Sequence, residues 1–169
     1  SEPERGTNFT FTLPLTAVEK QVSEMRAATV DLPPLHILVV DDISQNIDLI
    51  SLMLNRAGHT VDFAENGARA LEKMNKGSFD IVLMDLQMPV MDGLTAAARR
   101  REYEQLHHLK QLPIVALTAS VLVQDKQDAI NAGMEGFANK PVDFAQLMEE
   151  VASVLNIDTN VIDNAKENP

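Results

Sequence analysis

Three short, uninterrupted apolar runs recur along the chain, and their alternation with helical patterns constrains the fold more than any other feature. The runs are Ile37–Val40, Ile81–Met84 and Ile114–Leu117. Strands of a parallel sheet have this composition because helices cover both of their faces. Weaker strand patterns at 61–63 and 135–139 bring the predicted number of strands to five. The sequence therefore predicts an α/β fold with a doubly wound, five-stranded parallel sheet.

Helical periodicity follows each predicted strand, so five helices complete the fold. Because the three continuous runs are apolar throughout, they are predicted to be central strands, and the two weaker strands are predicted to be edges. This placement fits strand order 2-1-3-4-5, the order of flavodoxin-like folds. The predicted helices span roughly 43–57, 70–77, 93–112, 124–132 and 144–155.

Charge and composition exclude several classes of function. The chain has 169 residues and a net charge of −11, and an acidic excess of this size repels phosphate backbones, so direct nucleic-acid binding is not expected. Cys is absent, which excludes disulfides, thiolate catalysis and cysteine-ligated zinc. No apolar run approaches the roughly 20 residues of a membrane helix, so membrane contact is not expected either.

The N-terminal part differs from the rest. Asn8–Leu13 alternates like a half-buried strand, a capping-box pattern then starts a short helix at Thr16, and Pro33–Pro34 forms a stiff joint. We therefore predict a domain boundary at the two prolines. The predicted segments are 1–15, a linker with a short helix at 16–34, the main domain at 35–156 and a polar tail at 157–169.

Polar side chains stand where the predicted strands end. Asp41 and Asp42 follow the first strand, Asp85 ends the third, Thr118 ends the fourth and Lys140 follows the fifth. Ligands of such sheets bind beyond the carboxyl ends of the strands. Since these strands are neighbours in the predicted order, the three carboxylates, the hydroxyl and the ammonium group are expected to converge.

Each group also has a structural explanation by itself. An Asp pair before a helix commonly caps it, Asp85 precedes a turn at Met88–Pro89, and a single Thr or Lys at a strand end is usually structural or solvated. Their convergence is a different matter, because three neighbouring carboxylates repel one another and a divalent cation removes that repulsion. Carboxylate oxygens suit Mg²⁺. The cluster therefore predicts a magnesium site.

The motifs from about Leu35 to Leu155 resemble receiver domains of two-component signalling, especially those fused to hybrid sensor kinases. The matching sequence segments are ILVVDD at 37–42, AENGA at 64–68, VLMDLQMPVMDG at 82–93 and PIVALTA at 113–119. They are followed by Gly133-Met134 and Lys140-Pro141. The order and spacing of these pieces are highly specific. The resemblance implies a phosphoacceptor function.

The resemblance also implies a role for each residue of the cluster. Asp85 matches the phosphoacceptor, Asp42 matches the direct Mg²⁺ ligand, and Asp41 assists through water or hydrogen bonds. The carbonyl group of Gln87 matches a further metal ligand. Thr118 matches the hydroxyl that holds a phosphoryl oxygen.

Other implied roles lie beside the cluster. Lys140 matches the cation that pairs with the phosphoryl group, and the peptide bond before Pro141 is expected to be cis. Phe137 matches the switch aromatic, which fills the space that Thr118 leaves when it moves. Gln87 and Ser120 occupy positions that tune the lifetime of the acyl phosphate. The helix at 124–132, the fifth strand and the last helix form the expected signalling surface.

Three features of the sequence depart from the family pattern. Ile43 stands where many relatives have a polar residue, the run Arg99–Arg101 lacks an apolar residue often present in that helix, and Phe137 lacks the hydroxyl of a Tyr. None of them belongs to the five core groups. They bear on partner choice and on switching.

The N-terminal segment Gly6–Pro14 resembles the last strand of a histidine-kinase ATP-binding domain. This resemblance implies a hybrid histidine kinase as the parent protein, cytoplasmic or anchored to the membrane, with no kinase active site in this chain. The expected partner is the phosphohistidine domain of a sensor kinase or a histidine phosphotransfer protein. In this view the domain catalyses its own aspartyl phosphorylation and dephosphorylation.

Two other functions compete with this interpretation. The first is an interaction module that keeps the receiver fold and works without phosphorylation. The second is a Mg²⁺-dependent phosphatase, whose aspartyl nucleophile would usually be followed two residues later by a second Asp. Gln87 occupies that position here.

Overall fold

A computed structural model describes residues 32–119 and 123–157. Five strands and five helices alternate within these residues, as the sequence predicted. They are β1 (His36–Val40), α1 (Ser44–Arg56), β2 (Thr60–Ala64), α2 (Gly67–Lys76), β3 (Ile81–Asp85), α3 (Gly93–Leu106), β4 (Ile114–Thr118), α4 (Val123–Asn131), β5 (Gly136–Asn139) and α5 (Phe144–Val154).

All strand pairs are parallel, and the strand order is β2-β1-β3-β4-β5. The predicted fold and order are confirmed. Every residue of β3 and β4 is buried, whereas both edge strands have exposed positions. Asp85 pairs with Leu117, and Thr118 pairs with Asn139. The register therefore brings the carboxyl ends of these neighbouring strands to one edge of the sheet.

Two apolar layers cover the sheet. Ile37 and Val39 belong to the layer that α1 and α5 complete, and Leu38 and Val40 belong to the layer that α2 and α3 complete. All four side chains are fully buried because successive residues of a strand face opposite sides. This two-sided burial is the physical reason why the central strands are continuous apolar runs.

The first apolar layer extends slightly beyond the predicted domain limits. Leu32 is 9% exposed and packs in this layer with Leu35, and Ile157 packs against it at the other end. The packed unit therefore begins before the two prolines. The predicted strand at 8–13, the predicted linker helix and most of the polar tail lie outside the described residues.

Helix α3 buries charged side chains where an apolar stripe is usual. Arg100, Arg101 and Glu104 are all buried. The Arg100 Nε and the Arg101 Nη1 donate to the two carboxylate oxygens of Glu104, at 2.8 and 2.7 Å. Glu104 also accepts the backbone N–H of Leu112 at 2.9 Å. Two residues of the arginine run that departs from the family pattern, Arg100 and Arg101, thus belong to a paired, buried network, whereas Arg99 is exposed.

The same arginines hold three backbone segments together. Arg100 donates to the carbonyl oxygen of Met74 at the end of α2, at 2.8 Å. Arg101 donates to the carbonyl oxygens of Gly133 and Leu112, at 2.9 and 3.0 Å. These bonds connect α3 to α2, to the start of β4 and to the α4–β5 turn. They hold in place the segments that precede β4 and β5, and the carboxyl ends of these two strands lie at the acidic cluster.

Candidate functional site

The carboxyl edge of the sheet brings three carboxylates together. Asp41 follows β1, Asp42 is the next residue and Asp85 is the last residue of β3. One oxygen from each side chain lies within 4.8 Å of the other two. Asp41 and Asp85 are buried, and Asp42 is exposed. The structure thus places the predicted ligand side chains in one cluster that remains open to solvent.

Lys140 connects two of these carboxylates. Its Nζ lies 2.6 Å from an oxygen of Asp41 and 2.6 Å from an oxygen of Asp85. Burial alone would lower the pKa of Lys140, but the hydrogen bonds to Asp41 and Asp85 and their negative charges outweigh burial and raise that pKa. The ammonium group is therefore charged at neutral pH. Its positive charge compensates the two buried carboxylates.

Asp41 is oriented by the start of α1. Its Oδ1 accepts the backbone N–H of Ile43 at 2.9 Å, and the Asn46 side chain donates to both of its oxygens, at 3.0 and 3.2 Å. The N-cap residue of α1 is Ile43, and its side chain makes no capping bond. The acidic pair therefore does not occupy the capping position that a purely structural role would give it.

Asp85 is held at the end of β3 by its neighbours in the chain. Its Oδ1 accepts the backbone N–H of Gln87 at 3.1 Å. Helix α3 packs so closely behind Asp85 that a Cβ on Gly93 would collide with the Asp85 carbonyl oxygen. The Asp92 side chain caps α3 by accepting the N–H of Thr95 at 2.7 Å, and this bond is the main reason why the pKa of Asp92 is lowered. The loop after β3 thus supports the carboxylate with glycine and a helix cap.

The remaining predicted residues have different placements. Thr118 is the buried last residue of β4, and its carbonyl oxygen accepts the N–H of Lys140 at 2.8 Å. The peptide bond from Lys140 to Pro141 is cis, as the resemblance implied. Phe137 lies in β5, partly buried against the α2–α3 layer. Gln87 is exposed beside Asp85, and Ser120 lies outside the described residues.

Two contacts of Phe137 were not predicted from the sequence. Glu150 of α5 accepts the backbone N–H of Phe137 at 2.9 Å. The Nζ of Lys126 on α4 lies 5.9 Å from the centre of the Phe137 ring. Both partners are more than ten positions away along the chain, and no local spacing indicates them. They join β5 to both helices of the expected signalling surface.

The donor set of the cluster fits a small, hard divalent cation. Carboxylate oxygens are the ligands that Mg²⁺ prefers, and an exposed ligand such as Asp42 leaves room for the waters that Mg²⁺ retains. The described residues provide no Cys or His beside these three carboxylates that would favour a softer metal. The chemistry of the side chains therefore agrees with the predicted cofactor.

Comparison with known proteins decides the family. Residues 37–152 match the response regulator receiver domain. The chain belongs to this family. The match includes all of β1 except its first residue, the other four strands and nearly all of α5, so these residues form a receiver domain of two-component signal transduction. The receiver domain predicted from the motifs is confirmed.

The similar proteins include a sensor kinase and two receivers of known structure. The aerobic respiration control sensor protein ArcB of Escherichia coli K12 is 38% identical over 149 residues, which are 87% of this chain and 19% of ArcB. This chain thus spans about a fifth of that relative's length. No helix among the described residues is both long and apolar enough to cross a membrane.

Both receivers have the same fold as this chain, and their sequence identities to it are 31% and 29%. The receiver domain of sensor histidine kinase PA1611 from Pseudomonas aeruginosa, which has a magnesium ion in its active-site cleft, is 31% identical with a TM-score of 0.65, covering 73% of this chain and 99% of that one. The co-crystal structure of the Saccharomyces cerevisiae histidine phosphotransfer protein Ypd1 and the receiver domain of Ssk1 gives 29% identity and a TM-score of 0.70, covering 78% and 95%.

Proposed function

We propose that this receiver domain takes a phosphoryl group from a phosphohistidine onto Asp85. The observation that carries the proposal is the position of Lys140, whose ammonium bridges Asp41 and Asp85 at 2.6 Å on the edge where the strands end. The Lys140 ammonium can neutralise charge on the oxygens of an incoming phosphoryl group, and the three carboxylates can hold a divalent cation that neutralises more of it. A carboxylate that only capped a solvated helix would need neither the burial of Asp41 and Asp85 nor their ion pairs with Lys140.

The transfer is a nucleophilic displacement at phosphorus. An Asp85 oxygen forms the new O–P bond while the N–P bond of the phosphohistidine breaks, and the imidazole leaves with its electron pair. The product is an acyl phosphate, which water hydrolyses back to Asp85 and phosphate. Lys140 neutralises charge on the transferred oxygens, and the Thr118 hydroxyl holds one of them. Gln87 and Ser120 tune how fast water reaches the acyl phosphate.

Asp41, Asp42 and Asp85 would hold Mg²⁺ together with the Gln87 carbonyl group. When bound, the ion supplies positive charge against the phosphoryl oxygens and relieves the repulsion among the three carboxylates. Asn46 and the N–H of Ile43 hold the side chain of Asp41, one of these ligands, in a fixed orientation. The magnesium in the PA1611 receiver supports the same cofactor here.

The output is a shift between two conformations of β4, β5 and α4. After phosphorylation Thr118 moves toward the phosphoryl group and the Phe137 ring occupies the vacated space. Residues 124–131 of α4 have few large buried side chains to resist such a movement: Ala129 is fully buried, but Ile130 is exposed. The surface formed by α4, β5 and α5 then presents the signal.

We further propose that the parent protein is a cytoplasmic or membrane-anchored hybrid histidine kinase. Residues 1–15 would be the end of its ATP-binding domain and 16–34 the linker to the receiver. The partner would be a phosphohistidine domain, and the Ypd1–Ssk1 complex supports a histidine phosphotransfer protein as one such partner. The receiver itself would catalyse its own aspartyl phosphorylation and dephosphorylation.

Two experiments test the proposed function. Acetyl phosphate with Mg²⁺ should add one phosphoryl group, detected by intact-mass spectrometry, and a module that works without phosphorylation would remain unmodified. Phosphotransfer profiling against the phosphorylated histidine kinases and transfer domains of the source organism should then identify the fastest donor. A phosphatase would instead hydrolyse a generic phosphate ester repeatedly, which we do not expect.

Mg²⁺ affinity should depend on Asp42. We expect Asp42→Asn to weaken Mg²⁺ binding by about tenfold or more, because the substitution removes one of three clustered negative charges. The affinity is measured by following amide resonances during a Mg²⁺ titration. Asp48→Asn is the matched control, since Asp48 is an exposed residue of α1. Equal affinities of wild type and Asp42→Asn would show that the ion binds elsewhere.

Deletion of residues 1–30 should leave the receiver folded and able to react with acetyl phosphate. All strands and helices of the packed unit follow the deletion, and Leu32 stays in place. We expect a loss below about 2 kcal/mol, which a domain with roughly 5–15 kcal/mol of stability tolerates. Thermal melting and labelling of the shortened chain check this. A shortened chain that is unfolded at 25 °C would place the first 30 residues within the receiver.

A further inference from the structure

Helix α2 begins directly against the loop of residues 86–92, which follows strand β3. Its first residue, Gly67, is buried, and the Gly67 N–H donates to the carbonyl oxygen of Met91 at 3.0 Å. A Cβ at this position would lie 2.8 Å from the Met91 carbonyl oxygen, 2.9 Å from the Asp92 carbonyl oxygen and 2.9 Å from the Cβ of Ala96. The contact between α2 and the loop therefore has no room for a side chain at position 67.

Space, and not backbone conformation, explains glycine at this position. The two glycines with a positive φ among the described residues are Gly58 and Gly133, so Gly67 has a backbone that other residues adopt as well. Within a helix glycine is less favourable than alanine, because it loses more conformational freedom on folding. The stability of α2 alone would favour alanine at position 67, and the close approach of the loop is what excludes it.

The same loop also closes tightly on Asp85. Gly93 directly follows the loop, its N–H donates to the Leu86 carbonyl oxygen at 3.1 Å, and a Cβ on it would collide with the carbonyl oxygen of Asp85. Within the loop, the Gln87 N–H donates to the carboxylate of Asp85 at 3.1 Å. The loop is therefore fixed between α2 and Asp85, and neither glycine contact leaves space for one more carbon atom.

We propose that Gly67 is a positioning residue for the phosphorylation of Asp85, an inference that rests on the proposed function. Because it lacks a side chain, Gly67 lets α2 hold the end of the loop in place. A methyl group at this position would push against the last two residues of the loop. Since the following residue, Gly93, already touches the backbone of Asp85, this displacement reaches the acceptor carboxylate and the Gln87 N–H that binds it.

The expected effect is large because the atoms in contact are rigid. Two of the three contacts are backbone carbonyl oxygens and the third is the Cβ of Ala96, so none of them can rotate away as the end of a long side chain can. Contacts below 3.0 Å therefore force the backbone of the loop to move. Reacting groups need to be held within about 0.5 Å, and a misplacement of about 1 Å can slow a reaction about a hundredfold. A shift of a few tenths of an ångström thus corresponds to a rate loss of about tenfold.

Gly67→Ala tests this role with two independent measurements. With acetyl phosphate and Mg²⁺, we expect the initial rate of phosphorylation, followed by intact-mass spectrometry well below the Tm, to fall about tenfold. In the metal-free protein, we expect the amide resonance of Gln87 to shift, because its N–H bonds to the Asp85 carboxylate and reports the position of the loop. A residue that only stabilised α2 would change neither quantity in the folded protein.

Two control variants separate this role from the stability of α2. Gly77→Ala makes the same substitution at the opposite end of the helix, where a Cβ would lie at least 3.1 Å from every neighbouring atom. Ala70→Gly weakens α2 itself, since Ala70 is fully buried and glycine is less favourable in a helix, but it adds no volume beside the loop. We expect Ala70→Gly to lower the Tm. Both controls should keep the phosphorylation rate within about twofold of wild type and leave the Gln87 resonance unchanged.

A second variant takes the place of Gly67→Ala if that variant does not fold. Combining Gly67→Ala with Ala96→Gly removes one of the three contacts and leaves the two carbonyl oxygens against the new methyl group. Its reference is Ala96→Gly alone, which adds no atom beside the loop. We expect the double variant to be phosphorylated about threefold or more slowly than this reference and to show the shifted Gln87 resonance.

The outcomes distinguish this inference from the proposed function. A folded Gly67→Ala that is labelled within about twofold of wild type, or one whose Gln87 resonance does not shift, would overturn the positioning role and leave Asp85 as the acceptor. An equal loss of rate in either control would overturn it too, because the rate would then follow changes anywhere in α2. If the wild-type domain does not react with acetyl phosphate, the proposed function fails, and this inference fails with it.

Discussion

Asp85→Asn is expected to abolish phosphorylation of this receiver while leaving its fold intact. The amide has no anionic oxygen to attack phosphorus, so the acyl phosphate cannot form. The substitution has nearly the same shape, and the Asn oxygen can still accept the N–H of Gln87. Lys140 keeps its ion pair with Asp41, so the partly buried ammonium group is not left without a partner.

Intact-mass spectrometry after incubation with acetyl phosphate and Mg²⁺ measures this prediction. Wild type should gain one phosphoryl group, and Asp85→Asn should gain none. Asp48→Asn, an exposed carboxylate on α1, should be labelled like wild type. Circular dichroism of the three proteins confirms that the fold is the same. A phosphoryl group on Asp85→Asn, mapped to a different side chain, would refute Asp85 as the acceptor.

The largest loss of stability is expected from Glu104→Ala. Glu104 is 2% exposed and accepts hydrogen bonds from Arg100, Arg101 and the N–H of Leu112. Removing it leaves two buried guanidinium groups short of their negative partner and one backbone N–H without its acceptor. Breaking a buried charge network from one side costs about 3–5 kcal/mol. This is a large part of the roughly 5–15 kcal/mol that stabilises a domain.

Urea denaturation measures the free energy of unfolding of this variant. Glu102→Ala is the matched control, because Glu102 is an exposed residue on the same helix, and we expect a change within about 0.5 kcal/mol. Glu104→Gln keeps an acceptor for Leu112 but loses the charge, so its stability should lie between wild type and Glu104→Ala. A loss below about 1 kcal/mol in Glu104→Ala would mean that the arginines find other partners without cost.

The strands, and which of them are central, could be predicted from the sequence because their physical cause is local, whereas the full order also drew on the known order of flavodoxin-like folds. Val82 and Leu83 are adjacent in the chain and face opposite layers, and both must be apolar if helices cover the two faces. The same logic placed Asp41 and Asp85 beside each other, since parallel strands end at a common edge. The series of motifs between Leu35 and Leu155 then indicated the family from the sequence alone.

Other features depended on partners that are distant in sequence. Lys140 and Asp41 are 99 positions apart, and their ion pair exists only because β5 and β1 end at the same edge. Arg101 resembles a solvated charge in the sequence, yet it is buried because Glu104 and Glu135 are there to pair with it. Burial of a charge is decided by what the fold brings to it, and residue type alone carries no information on that. Composition and periodicity therefore determine which residues form the sheet and its acidic edge, and only the tertiary structure decides which charges are paired and which are buried.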